Sequence, residues 1–431
     1  MSWKKIKLSE FLKNRDGRYK PNDIAISDFK RIDKIDFSGN LFISEKASNT
    51  DMILVKKGDL VISGINIEKG AMTVYEGDND ITATIHYSSY IYDKEKIDIE
   101  FLKYFLKSSE FKQAIKEQVP GGIKTEIKPK HLLPLEVFIP TTIEEQKIVV
   151  ENLKSIEKEN LNLATEINTQ LTFVKQLRQS FLREAMQGKL VAQKPSDGNA
   201  KDLLEKIKAE KTKSGKKEKL HTLIKKEEIP FEIPENWIWC RLNQICLKIT
   251  DGTHFSPPNT EYGNYKYITA KNIKEIGIDL SKISYVTDDI HKEIYSRCNP
   301  EYGDVLYIKD GATTGIVTLN NLKEEFSMLS SVALIKTSDD INNKFLLYMM
   351  RSPFYYNATR DDMSGVAITR VTLDKIQKTL TPLPPLSEQQ RIVEKLDELM
   401  RMCDELEQSI KASQGQNEKL LQQVLREALR G

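Results

Sequence analysis

Three stretches of this sequence combine residue types that can hold a phosphate or a base edge. Between Lys112 and His131 the chain carries Lys112, Lys116, Lys124, Lys128 and Lys130 against Glu117 and Glu126, around a Gly121-Gly122 pair. Lysines neutralise phosphates, and glycine lets a turn come close to another backbone. Further on, DGTHFSPP holds Thr253 and His254 in a turn, and MSGVAITR ends on Thr369 and Arg370. Hydroxyl, imidazole and guanidinium groups suit phosphate oxygens or base edges in a groove. Solvated faces and bare turns would carry the same residues, so both readings stay open at this point.

No enzyme constellation accompanies them. There is no GxGxxG after a strand and no GxxxxGK[ST], the backbone cradles for dinucleotides and triphosphates. The Pro pairs in FSPPNT and LPPL lack the preceding Asp or Asn of an amino-methyltransferase loop. The string GIKTEIK spaces Glu126 and Lys128 as a metal-dependent nuclease would, but such chemistry needs a further acidic partner. Cys240, Cys246, Cys298 and Cys403 lack CxxC spacing, which points to reduced thiols in a cytoplasm and no zinc.

Composition is consistent with binding but does not announce it. The 431 residues suit two or three domains, and 65 basic against 63 acidic side chains leave a net charge of +2, so any nucleic-acid surface must be a local patch. No apolar leader or membrane span is read from the sequence, and the expected protein is soluble, cytoplasmic and without a membrane partner.

The elements that would position these groups occur twice. TTIEEQKIVVENLKSI opens a segment closing with FLREAMQG, and PPLSEQQRIVEKLDEL opens one closing with VLREALRG; Glu144 and Glu388 differ by 388 − 144 = 244 and Gly188 and Gly431 by 431 − 188 = 243. GDLVISG around Asp59 answers GDVLYIKDG around Asp304, and FLKYFLKSSEF answers FLLYMMRSPFY. Each long segment keeps a 3.5-residue apolar period, from Val149, Leu153 and Ile156 to Phe181 and from Ile392, Leu396 and Leu399 to Val424, the signature of a coiled-coil seam. Two such helices, roughly 65 to 70 Å long at about 1.5 Å per residue, are expected to pack antiparallel on each other. Pairing Val149 with Val424 sets partner numbers to a sum of 573, so that Asn160 faces Ser413; with Asn417, these polar seam residues are candidates for fixing the register. Pro140 and Pro384-Pro385 precede the helices, and Ser387 is the expected N-cap. Alternating runs such as DLVISGINI and SVALIKT predict strands in two mixed α/β regions. The boundaries follow: 1–140 globular, 141–190 long helix, 191–233 a mobile charged linker with a short helix, 234–383 globular, and 384–431 long helix.

This arrangement resembles the specificity subunit of type I restriction-modification systems. PLPPLSEQQRIVEKLDEL, FLREAMQGKL, IPFEIPENWIWCRLNQI, DGTHFSPP and YKYITAKNI carry the likeness, which extends over nearly the whole chain. The resemblance implies an α+β fold: two mixed α/β target-recognition domains alternate with two long helices that pair as an antiparallel coiled coil, a pseudo-twofold internal repeat. It implies a non-catalytic subunit in which each recognition domain reads one half of an asymmetric bipartite site on double-stranded DNA. The coiled coil would set the spacing and dock two modification (methyltransferase) subunits. S-adenosylmethionine would belong to those subunits, ATP and Mg²⁺ to restriction subunits, and no cofactor to this chain. Loop chemistry then extends the DNA-contact candidates to Ser63, Asn66, Lys69, Lys124, Thr125 and Lys128 in the first region, and to Thr253, His254, Lys271, Asn272, Lys309, Thr313, Thr314 and Arg370 in the second. The competing readings are a coiled-coil protein scaffold that never touches DNA and a DNA-modifying enzyme with an unrecognised site.

Overall fold

The computed structural model describes residues 2–46, 48–118, 126–213, 223–360 and 370–429. They form two compact units, Met1–Thr169 with Ile410–Gly431, and Gln170–Ser409. Each unit therefore contains one globular region and a part of both long helices.

Unit 1 is built on a four-stranded antiparallel sheet of β1 (Leu12–Asn14), β2 (Leu60–Ser63), β3 (Met72–Val74) and β4 (Tyr87–Tyr92), in the order β1-β4-β2-β3. A five-stranded sheet between Arg18 and Thr84 is added to it, with Ile32, Val55, Val61 and Ala83 in its core. The helix α1 (Ile99–Lys107) buries Phe101, Leu102, Phe105 and Leu106, three- and four-residue spacings that put all four on one face.

Unit 2 repeats the plan with β5 (Cys246–Asp251), β6 (Val305–Ile308), β7 (Val317–Leu319) and β8 (Val332–Thr337), ordered β5-β8-β6-β7. The registers coincide. Leu60 lies opposite Val74 and Tyr90, and Val305 opposite Leu319 and Ile335, a constant offset of 245 (305 − 60, 319 − 74, 335 − 90). The Gly-Asp pair before each central strand has the same task in both: Gly58 and Gly303 turn the chain at φ 86° and 88°, and the carboxylates of Asp59 and Asp304 accept from the Lys56 and Glu301 N–H groups. What differs is the insertion, here a three-stranded sheet and a two-stranded ribbon in place of five strands.

The long helices are α2 (Ile143–Met186, 44 residues) and α4 (Leu386–Ala428, 43 residues), each roughly 65 Å long at about 1.5 Å per residue. Between them in sequence lies α3 (Asn343–Arg351), the counterpart of α1. Thr142 and Glu145 form a reciprocal capping box at the start of α2. Ser387 does not cap α4. It lies inside the first turn and donates to Asp197, which also holds Arg391 in a bidentate pair at 2.6 Å.

A buried glutamine joins each long helix to its globular region. The Gln146 carbonyl accepts from the Asp98 N–H at 2.7 Å while its amide donates to the Pro140 carbonyl; the Gln389 carbonyl accepts from the Asn342 N–H at 2.9 Å while its amide donates to the Pro384 carbonyl. Asp98 and Asn342 are in turn the N-caps of α1 and α3. Long-helix start and globular helix start are thereby tied through one side chain.

In unit 1 the end of α4, through Leu425 and Ala428, joins with Leu429 a core containing Val149, Val150 and Leu153. In unit 2 the end of α2, through Leu182, Ala185 and Met186, shares a core with Ile392, Val393 and Leu396. There Arg178 reaches the Met400 carbonyl, Asp404 at 2.7 Å and Glu407 at 3.1 Å. The sum of 573 would put Arg178 opposite Lys395, so that register is not followed in this unit. Nor is the seam continuously buried. Val149, Leu153, Ile167, Val174, Ile392, Leu396 and Cys403 are buried, while Leu163, Leu177, Leu406 and Leu420 are exposed, as are Leu161 and Phe173 off the seam. A helix of 3.6 residues per turn drifts about 20° per heptad against a 3.5 repeat, which carries part of the stripe out of contact. Among the polar seam residues, Asn160 and Asn417 are half-buried and Ser413 is exposed.

The expected mobile linker is partly core. Helix Ala200–Lys213 buries Ala200, Leu204 and Ile207 among the apolar residues of unit 2. All four cysteines are buried and free, and burial pushes the Cys240 and Cys298 thiols up to about 12. Among the described residues no helix is long and apolar enough to cross a membrane.

Replacing Gln389 by Ala strips a half-buried N–H and a buried carbonyl of their partner. The expected loss is about 1–3 kcal/mol, read as a lower urea midpoint for unfolding of the chain. An unchanged midpoint would contradict the clamp.

Candidate nucleic-acid interface

The central strand of each four-stranded sheet runs directly into a turn that carries predicted contact residues. In unit 1, β2 ends at Ser63 and the turn continues through Asn66 and Lys69; in unit 2, β6 ends at Ile308 and the turn continues through Lys309, Thr313 and Thr314. The same two backbone bonds brace both. Gly64 donates to the His86 carbonyl and its own carbonyl accepts from Ile127; Lys309 donates to the Ser331 carbonyl and its carbonyl accepts from Val371. These partners keep the repeat offsets, 331 − 86 = 245 and 371 − 127 = 244.

That correspondence puts Glu126 of unit 1 and Arg370 of unit 2 at the same place on the frame, each one residue before the bracing N–H. Their chemistry is opposite. Glu126 pairs with His86 at 3.0 Å and Lys128 at 3.5 Å, and Arg370 pairs with Asp310 at 3.0 Å. With a histidine and a lysine as its partners, Glu126 sits in an ion-pair arrangement and not in a paired-carboxylate one.

In unit 2 a chain of charges links the predicted residues. Asp251, at the end of β5, is buried, and its carboxylate meets His254 Nε2 at 3.1 Å, Arg297 at 3.2 Å and Lys309 Nζ at 3.4 Å. Lys309 is only 2% exposed and also meets Asp310 at 2.7 Å. Arg297 further donates to the carbonyls of Asp251 and Gly252. Three exposed tips result: His254 (56%), Arg297 (52%) and Arg370 (62%). Gly252 must be glycine, because a Cβ there would stand 1.9 Å from the Met328 carbonyl oxygen. The close approach lets Thr253 donate to that carbonyl and accept from Ser330.

Burial divides the predicted contacts into two sets. Ser63, Thr253, Asn272, Lys309 and Thr314 are buried, so in this conformation they do not reach a duplex. They hold the loops: Asn272 accepts from the Thr269 N–H and donates to the carbonyls of Asp279 and Lys282, and the Thr314 hydroxyl donates to the Gly311 carbonyl. Lys69, Lys128, His254, Lys271, Thr313 and Arg370 are exposed, and Asn66 is half-buried. Lys69 lies over the Phe37 ring at 5.5 Å, a cation–π contact that keeps its ammonium near the turn. Lys124 and Thr125 lie outside the described residues, as does the MSGVAIT part of the loop before Arg370. Sequence reasoning missed Asp251, Arg297 and Asp310. Two of them had a signal, an aspartate beside glycine in DGTH and in KDG. It also missed Ile65, Phe255 and Tyr262, large apolar side chains exposed beside these turns.

Residues 234–413 match the family model described as the type I restriction modification DNA specificity domain. The type I restriction enzyme EcoAI specificity subunit of Escherichia coli is 29% identical over 279 residues, covering 58% of this chain and 44% of that protein. The chain thus aligns to less than half the length of that relative. A chain from a structure on complex assembly and conformational transition of the type I R-M system superposes with a TM-score of 0.68 at 18% identity, covering 100% of this chain and 98% of the other. The HsdS subunit from Thermoanaerobacter tengcongensis superposes with a TM-score of 0.57 at 17% identity, covering 100% and 97%. At these identities the superpositions speak for the fold.

Placing a methyl group at residue 252 forces the β5 end away from Met328. Gly252→Ala is expected to destabilise unit 2 by about 1–3 kcal/mol, the usual range for overpacking, measured by thermal melting. A melting temperature equal to that of the parent would show that the close approach is not needed.

Proposed function

We propose, from the premise that residues 234–413 form a type I restriction-modification DNA specificity domain, that this chain is a non-catalytic DNA-reading subunit. Each globular region, 1–140 and 234–383, reads one half of an asymmetric bipartite site on duplex DNA. The observation that carries this reading is the shared frame with exchanged side chains, Glu126 against Arg370 and Gly64 against Lys309, on strands of identical register. One backbone presenting different groups is what two dissimilar half-sites require, because bases are distinguished by the donors and acceptors offered to their edges.

In this reading α2 and α4 pair antiparallel, as the meeting of helix ends with helix starts within each unit supports, and their length sets the distance between the readers. Asn160, Ser413 and Asn417 contribute to the register as polar seam residues, without Asn160 and Ser413 having to face each other. Two modification subunits dock on the helices, for which the exposed Leu161, Phe173, Leu406 and Leu420 offer apolar contacts. Equivalent clefts in the two repeats, of about 760 Å³ beside Arg426 and Leu429 and about 710 Å³ beside Arg183 and Met186, support two like docking positions. S-adenosylmethionine is then used by the modification subunits, ATP and Mg²⁺ by restriction subunits, and the complex works in the cytoplasm.

Arg370 is an exposed guanidinium of the second reader, held by Asp310. Arg370→Ala in the complex with modification subunits is expected to cost about 1–3 kcal/mol in binding a cognate duplex and to relax one base pair of one half-site. Competition binding at a fixed salt concentration measures both effects. A uniform loss on all sequences would make Arg370 a phosphate contact, and no loss would remove it from the interface.

A further inference from the structure

Lys309 is the one predicted contact whose burial is hardest to reconcile with touching DNA and whose charge is hardest to explain without a task. A lysine is almost never fully buried unless it is paired, since desolvating an ammonium is expensive. Here it is paired twice, to Asp251, which ends β5 and opens DGTH, and to Asp310 in the turn after β6. Neither aspartate ends its interactions there. Asp251 continues to His254 and Arg297, and Asp310 continues to Arg370. The buried ammonium therefore sits at the root of a branched network whose tips emerge from three separate segments.

We propose that Lys309 is a positioning residue for DNA reading by unit 2: without reaching the duplex, it locks Asp251 and Asp310 together and so fixes the relative placement of His254 and Arg370 on the reading face. The proposal rests on the function proposed above. Two carboxylates of adjoining segments repel one another unless a cation lies between them, and one ammonium, itself buried with Asp251, attracts both at these distances. Arg370 and His254, each attached to one of the two carboxylates, move with them. Unit 1 supplies an internal control, because Gly64 stands at the position of Lys309 on its frame and has no side chain to pair with a carboxylate. Any effect of Lys309 must then fall on one half-site alone.

The test uses the full chain in complex with its modification subunits, scoring methylation on a library of duplexes with single changes in either half-site. Lys309→Met is expected to lower discrimination about tenfold or more at the base pair sensitive to Arg370 and to leave the other half-site unchanged. In an Arg370→Ala background, Lys309→Met should add little at that same base pair, since the two changes remove one function. Should Lys309→Met melt unit 2, Lys309→Gln decides: its amide can still donate to a carboxylate but carries no charge, so it should fold while discrimination stays relaxed. Wild-type discrimination by folded Lys309→Met or Lys309→Gln, or equal relaxation of both half-sites, overturns the proposal. If the parent complex itself shows no half-site that depends on unit 2, the proposed function has failed and not the network alone.

Discussion

The constraint on which this structure depends is a hydrogen-bond register. In each unit a four-stranded antiparallel sheet pairs the same positions at an offset of 245, so the turn after the central strand leaves the sheet at the same point and in the same direction. A slip of one residue would flip every side chain to the opposite face. The buried strands Leu60–Ser63 and Val305–Ile308, closed on both faces, leave no such freedom. Once register is set, the backbone amides that brace the turn are set too, and only the side chains remain to vary.

The variation is where the two halves part. The Gly-Asp turn, the buried glutamine and the capped globular helix are equivalent in both, and each is a backbone-bonding device that tolerates little change. At the end of the frame, a glycine with a nearby glutamate stands in one unit and a buried lysine with a nearby arginine in the other. The sheets inserted beyond it differ in strand number. A scaffold held constant by hydrogen bonding and a rim released from that duty suit recognition of two unlike targets.

Much of this organisation was legible in the residues. The duplication, the two long helices and the strands around Asp59 and Asp304 follow from repeat offsets and periodicity, which report local geometry directly. The turns carrying Thr253, His254, Lys309 and Arg370 were found because glycine and polar residues mark them, and the structure brings them together. Which side chains are exposed was not legible. Lys309 and Asn272 read as contacts because their types bond to DNA, yet the same types satisfy buried carboxylates and carbonyls, and only the tertiary arrangement decides between the two. Ser387 looked like a cap because it precedes an apolar run, but the helix begins one residue earlier and Asp197, distant in sequence, takes the hydroxyl. The 573 register failed at Arg178 for a related reason: a 3.5-residue stripe specifies a face and leaves the axial alignment to ion pairs such as those with Asp404 and Glu407.

The central claim is that two frames of one geometry read two different sequences. Its most direct test is to map modified bases genome-wide in cells holding this chain with the proposed modification subunit, then to repeat the mapping after residues 234–383 are replaced by the corresponding region of a relative. The account predicts a split, asymmetric recognition sequence in which that exchange rewrites one half and leaves the other half and the spacer as they were. A single uninterrupted sequence, or an exchange that alters both halves together, would contradict it.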